Sequence, residues 1–226
     1  MRLAALFSGG KDSTYAVFLA SLVGVLEYLV TVVPRREDSW MFHTVNLHLT
    51  PLLAEAHGLE LVTVESSGEK EMELDDLIGA LGDLNIEGLV TGAIASSYQK
   101  DRIDALCGEL GLAHVSPLWG RSSTDLLDEL IEAEMEVVVT AVAAMGLDER
   151  WLGRVLDQDA AEELKELSLR HGFDVCGEGG EMETLVVDAP WFGKRLEIVE
   201  ARKEWDGVRG SYIVEKARLV PSLRVA

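Results

Sequence analysis

The sequence predicts an α/β fold over its first half, a doubly wound parallel sheet, followed by a smaller α+β part. Three observations predict it. Short apolar runs free of charge alternate with helical stripes of about 10–15 residues as far as Pro117. Two of those runs break off at glycine, in Ser8-Gly9-Gly10 and Thr91-Gly92, as strand-to-helix turns on one sheet edge would. After Pro117-Leu118-Trp119-Gly120 the order changes and closes on two alternating stretches that suggest an antiparallel hairpin. The expected division is 1–117, the parallel-sheet unit, and 118–226, an α+β unit.

Leu3–Phe7 is short, uncharged and bounded by glycine, so it reads as a strand buried on both faces. Ser8-Gly9-Gly10 lets the backbone turn sharply and approach a ligand, since neither glycine carries a Cβ. From about Asp12 the apolar stripe Tyr15, Val17, Phe18, Leu19, Leu22 predicts a helix, with Asp12 or Ser13 as its cap. Unpaired N–H groups and the positive helix end then face outward beside Lys11 and the Ser8 and Ser13 hydroxyls. That is an anion site, and phosphate is the natural anion. The common triphosphate loop is excluded, because it needs Gly-x-x-x-x-Gly-Lys-[Ser/Thr]. An ordinary turn with glycines for geometry only is the competing reading.

Glu27–Val33 predicts a second strand ending at Pro34, with Arg35–Ser39 as a polar loop at the sheet edge where ligands collect. Met41–Asn46 is ambiguous between strand and loop. A helix begins with Thr50 as cap and Pro51 in its first position, turns Leu52, Leu53 and Ala56 inward and stops at Gly58. Glu60–Glu65 is a third strand, and Lys70–Leu84 a helix burying Met72, Leu74, Leu77, Ile78 and Leu81. Gly88–Gly92 is a fourth strand, followed by a helix through Gln99, Arg102, Ile103, Leu106 and Leu110 to Gly111. Beyond the junction come a helix at Ser123–Ala133, a strand at Val137–Val142 and a helix at Ala160–His171. Strands at Thr184–Asp188, Lys194–Glu204 and Gly210–Leu219 complete the chain, the last two joined around Trp205-Asp206-Gly207.

At 226 residues and 48% apolar content the chain buries a substantial core. No stretch approaches the ~20 apolar residues of a membrane span, and the start lacks the design of a signal peptide. A cytoplasmic protein without membrane contact is expected. The two cysteines, Cys107 and Cys176, are too few for a disulfide framework or zinc cluster and read as reduced core thiols. Forty acidic against 20 basic residues, a formal charge of −20, disfavour nucleic acid and make a local basic pocket necessary for any polyphosphate.

Cys176-Gly177-Glu178-Gly179-Gly180-Glu181-Met182-Glu183-Thr184 sets three carboxylates on a backbone loosened by three glycines. Charges so crowded point to water, bind a cation or hold a proton at a shifted pKa. A solvated surface turn is the plain alternative, against which the glycines argue.

Ser8–Ser13 resembles the pyrophosphate loop of enzymes that split ATP between its α and β phosphates. Together with Thr91-Gly92-Ala93-Ile94, Tyr98-Gln99, Arg102, Pro117-Leu118-Trp119 and Gly177-Glu178-Gly179-Gly180-Glu181-x-Glu183-Thr184, the chain is similar to the diphthine–ammonia ligase family of archaea and eukaryotes. His43 with Asn46 and the Gly68-Glu69-Lys70-Glu71 run are lesser matches. The chain departs from the family at Ser97, where an acidic residue is common, and at Met182, where an aromatic is.

The resemblance implies that diphthine, a modified histidine of translation elongation factor two, attacks ATP to give an acyl adenylate and pyrophosphate, and that ammonia then displaces AMP to leave diphthamide. It implies that Ser8, Gly9, Gly10, Lys11 and Ser13 hold the β and γ phosphates, and that Asp12 is a candidate Mg²⁺ ligand or else a helix cap. Thr91, Gly92 and Ala93 would lie along the ribose or α-phosphate, His43 near adenine, and Arg102 as a second cation. Glu181 first, then Glu178, with Glu183, would gather ammonium and act as base. Tyr98, Gln99, Gly179, Gly180 and Thr184 would shape the substrate pocket. Two other classes compete: an RNA-modifying enzyme with the same loop, opposed by the negative charge, and an ATP-binding sensor, which has no need of the acidic loop. Exposed sheet hairpins often pair, which leaves a homodimer open.

Overall fold

The computed structural model describes residues 1–34, 45–66 and 72–222. Residues 41–44 of the ambiguous stretch Met41–Asn46, the polar loop 35–39 and the run 68–71 lie outside them.

Five strands form one all-parallel sheet: β1 (Arg2–Leu6), β2 (Val25–Pro34), β3 (Glu60–Ser66), β4 (Gly88–Val90) and β5 (Ala113–Val115). Their order, β3-β2-β1-β4-β5, reverses direction between β1 and β4. In an open α/β sheet, the crevice for a ligand opens at that reversal, beyond the carboxyl ends of the two strands. Both glycine turns predicted from sequence leave from those two ends.

Alternation along β1 decides which layer each residue serves. Leu3, Ala5 and Phe7 join the apolar cluster of α1 (Lys11–Ser21) and α2 (Thr50–His57). Ala4 points the other way, to Leu77 and Leu81 of α3 (Met72–Gly82) and Ile103, Leu106 and Cys107 of α4 (Ser97–Leu110). Helices on both faces make the sheet doubly wound, as expected. The short β5 escaped the sequence reading, because three residues are too few to display a period.

Two capping assignments need correction. The N-cap of α1 is Gly10, with no side-chain cap; the Ser13 hydroxyl instead donates to the Gly10 carbonyl at 3.1 Å. Likewise Leu49 caps α2, and Thr50 sits inside the helix with its hydroxyl donating to the Leu47 carbonyl. A preceding 3₁₀ turn, Leu47–Leu49, runs straight into α2 and displaces the start by one residue. The predicted stops hold: Gly58 and Gly111 close α2 and α4 with φ of 73° and 67°, left-handed angles that favour glycine.

The second sheet is antiparallel, ordered β7-β6-β9-β8, from β6 (Glu136–Val142), β7 (Met182–Asp188), β8 (Lys194–Trp205) and β9 (Gly210–Pro221). The hairpin β8–β9 is the one expected, its turn held by Asp206 accepting from the N–H groups of Val208 and Arg209. Helices α5 (Ser123–Glu132) and α6 (Gln158–His171) bury Leu126, Leu127, Leu130 and Leu164 with it. No helix among the described residues is long and apolar enough to cross a membrane.

One continuous apolar cluster runs from the α1/α2 layer into the second sheet. Aromatic rings line the seam: Phe18 stacks on Trp191 at 4.1 Å, and His57 lies between Phe7 and Phe192 at 5.4 and 4.4 Å. Burial pushes the His57 imidazole from 6.5 down to about 4, and its Nε2 has no hydrogen-bond partner among the described residues. The folded protein therefore resists a proton that the unfolded chain accepts, so this contribution is full above pH 6.5 and drains away as the pH falls toward 4. By pH 5 wild type is expected to lose about 2 kcal/mol more than His57→Phe, read from urea unfolding at pH 7.5 and pH 5. Equal losses would show that His57 does not sense pH.

Candidate active site

The carboxyl ends of β1 and β4 open into a cleft of about 450 Å³, walled on the far side by the loop before β7. Ser8, Gly10, Lys11, Asp12 and Ser13 come from the first turn, Thr91, Gly92 and Ala93 from the second, Tyr98 and Gln99 from α4, Gly177–Gly180 from the acidic loop, and Glu183 and Thr184 from the start of β7 that continues it. Three stretches far apart in sequence are thus brought to one place.

The two glycine turns touch rather than face each other across a gap. A Cβ on Gly92 would stand 2.8 Å from the Asp12 carbonyl carbon and the Ser13 nitrogen. The acidic loop is equally close: the Thr184 hydroxyl accepts from the Lys11 N–H at 3.1 Å, and the Val186 N–H donates to the Gly9 carbonyl at 2.9 Å. Thr184 therefore stitches β7 to the first turn. The N–H groups of Asp12 and Ser13 lie in the first turn of α1, where a helix has no carbonyl to offer them.

Lys11 is 1% exposed. Its ammonium donates to Asp12 Oδ2 at 2.7 Å and to the Cys176 carbonyl at 2.5 Å. Burial alone lowers its pKa, but the Asp12 carboxylate and, more distantly, Glu178 outweigh that and hold it above its ordinary value. The cation is permanent. Asp12 Oδ1 is buried and has no hydrogen-bond partner among the described residues.

Of the three glutamates, Glu178 and Glu183 line the cleft. Glu178 Oε2 accepts from the N–H groups of Ala95 and Ser96, at 3.0 and 3.2 Å, which ties the acidic loop to the start of α4. Glu181 is used differently: it accepts from the Gly179 N–H at 2.8 Å and weakly from that of Asp174 at 3.4 Å, holding the loop's own bend, and does not line the cleft. Gly177, at φ 78°, takes part in that bend, and a Cβ there would stand 2.4 Å from the Met182 carbonyl oxygen. Among the described residues no three acidic, histidine or cysteine side chains gather to hold a metal.

Arg102 does not line the cleft; its guanidinium lies 5.3 Å over the Tyr98 ring, on the side of α4 that meets α3. His43 lies outside the described residues. Leu6, Val30, Val32, Leu47, Ile103 and Met182 also line the cleft and give it an apolar wall.

Residues 1–114 match the diphthamide synthase N-terminal domain and residues 122–220 the diphthamide synthase C-terminal domain. The chain belongs to the diphthamide synthase family. Proteins named diphthine–ammonia ligase from Bos taurus and Homo sapiens are each 36% identical over 220 residues, covering 87% of this chain and 82% of theirs. The one from Saccharomyces cerevisiae is 32% identical over 92% of this chain and 36% of its own length.

In this diphthamide synthase family member both cysteines are buried free thiols, as expected. Burial pushes Cys176 up to about 12, with Lys11 pulling against it, and Cys107 up to about 11, so neither is a thiolate nucleophile near neutral pH. Sequence reasoning missed Lys100, which lines the cleft, and the polar cluster behind Thr91. The latter joins Asp104, His114 and Ser116, which sit on elements whose apposition no local pattern reveals.

Proposed function

We propose that this protein amidates the diphthine of translation elongation factor two with ammonium, using ATP and releasing AMP and pyrophosphate through an acyl adenylate. The observation that carries the reading is the acidic-glycine loop packed directly on the phosphate turn, within a family whose relatives are named for the ligation. A site built for hydrolysis or sensing needs no such partner for its nucleotide.

Roles follow from where charge develops. Adenine fits the apolar wall, and the triphosphate lies over Ser8–Ser13. There Lys11 and the open N–H groups of α1 stabilise the pyrophosphate as it leaves. The α-phosphate falls beside Thr91–Ala93, so the acyl carbon joined to it faces Glu178 and Glu183 on the acidic loop. Those two carboxylates draw ammonium toward that carbon, while Glu181 keeps the loop in shape.

A divalent cation suits this site. Lys11 is already matched by Asp12, so the cleft has little net positive charge for a polyphosphate, and the partnerless Asp12 Oδ1 offers one oxygen. Mg²⁺ is commonly held by one or two carboxylates together with phosphates and water. When bound with ATP it would neutralise phosphate charge. A cytoplasmic location accords with the substrate proposed.

Purified protein, ATP, ammonium and diphthine-bearing elongation factor should yield AMP, pyrophosphate and the amide by mass spectrometry; ADP and orthophosphate would rule the reading out. Glu183→Gln is expected to reduce amide formation by about 100-fold or more while pyrophosphate exchange into ATP continues. Glu181→Gln, whose amide oxygen still accepts from Gly179, is expected to keep most of the activity. The reverse ranking would return the leading role to Glu181.

A further inference from the structure

Behind Thr91 lies a polar cluster, Asp104, His114 and Ser116, that the ligation as described leaves unused. Asp104 Oδ1 is 2.5 Å from His114 Nδ1, and His114 Nε2 is 2.7 Å from Thr91 Oγ1 and 2.8 Å from Ser116 Oγ. The two hydroxyl oxygens are 3.1 Å apart. The Thr91 residue and the His114 side chain are 6% and 7% exposed, whereas the Asp104 side chain is 42% exposed. The cluster thus runs from a residue lining the cleft to solvent.

Its proton arrangement follows from the acceptor at one end. Asp104 accepts, so His114 Nδ1 carries the hydrogen and Nε2, facing two hydroxyls, serves as the acceptor. Both hydroxyls lie within reach of Nε2; the shorter contact, 2.7 Å, assigns that acceptor to Thr91 and leaves Ser116 to donate to Thr91 Oγ1. One lone pair on Thr91 Oγ1 stays available to a donor in the cleft. Lys100 donates to Asp104 Oδ2 and, with His114, keeps that carboxyl below the usual carboxylate range, so it stays an anion facing the ring. Strand pairing does not require any of this: β4 and β5 are already joined through Leu89↔His114 and by the Thr91 N–H to the Val115 carbonyl.

We propose that Thr91, His114 and Asp104 form the exit route for the proton released when the amine attacks the acyl adenylate. The inference rests on the amidation reading above. Ammonium first gives one proton to the Glu178 and Glu183 carboxylates, the freed nitrogen lone pair forms the C–N bond, and the C–O bond to the phosphate breaks, its electron pair leaving with AMP. The nitrogen, now positively charged, must lose one proton to end as the amide. Thr91 Oγ1 accepts that proton as it passes its own to His114 Nε2. The imidazolium is balanced by Asp104 and returns its proton to water after the product leaves. His114 and Asp104 act through Thr91 and are positioning residues for it.

The test separates the two half-reactions in the full-length protein, with diphthine-bearing elongation factor as substrate. His114→Ala is expected to keep pyrophosphate exchange into ATP within about threefold of wild type and to lower amide formation from ammonium by about 100-fold. Hydroxylamine, whose adduct nitrogen is far more acidic than that of ammonia and sheds its proton to water unaided, should restore product formation in the variant. His114→Gln, able to bond both Thr91 and Asp104 but unable to carry a proton, should behave alike, and it decides the matter if the alanine variant does not fold. Exchange and amide formation falling together would assign the cluster to packing and overturn the proposal, as would a variant equal to wild type in both. Wild-type protein without exchange would overturn the amidation reading, and this inference with it.

Discussion

Lys11→Ala is expected to lower pyrophosphate exchange by about 1,000-fold or more, since it removes the one fully buried cation of the phosphate turn. It also leaves Asp12, whose Oδ1 has no partner among the described residues, and the Cys176 carbonyl without their shared donor. Removing one half of a buried ion pair costs about 3–5 kcal/mol, so the variant should also melt earlier. Stability and chemistry are separated by the double substitution Lys11→Met with Asp12→Asn. It discharges both partners and should recover much of the stability while staying inactive. Recovery of exchange in the double variant would mean that the ammonium is a structural cation with no part in holding the leaving pyrophosphate.

Gly92→Ala is the second large effect. The new methyl would stand 2.8–2.9 Å from three backbone atoms of Asp12 and Ser13, closer than real Cβ contacts, and backbone cannot swing aside as a side chain can. The two turns must separate, which should cost about 1–3 kcal/mol. Because the separation moves the phosphate turn relative to Thr91, kcat should fall by about 100-fold. Gly108→Ala on α4 is the matched control: nothing lies within 4 Å of its Cβ position, and relief of helical glycine should stabilise by about 0.5–1 kcal/mol. If Gly92→Ala were as harmless as Gly108→Ala, the turns would not be coupled as described.

Much of the fold was legible because its signals are local. The apolar run beginning at Leu3, the glycine stops at Gly58 and Gly111 and the alternation of the final hairpin each depend on residues within a few positions. Capping was less legible. At Thr50 the chain entered the helix from a 3₁₀ turn, and at Gly10 the turn's own geometry replaced a side-chain cap. Most of the residues named from sequence line the cleft, whereas Glu181 bonds within its own loop and Arg102 lies on α4 away from the cleft.

By itself the sequence determined the chemistry on offer: a glycine turn with a lysine, a carboxylate loop, and strands and helices that place the first turn at a sheet edge. Those are properties of residue type and short-range spacing. Only the tertiary structure decided that Thr184 caps the phosphate turn, that Lys11 is shared with the Cys176 carbonyl 165 residues away, and that His114 backs Thr91. Each depends on closing a long loop so that two elements meet within hydrogen-bond reach. The direction in which a side chain finally points is set by the packing around it, which is not written in the spacing of its neighbours along the chain.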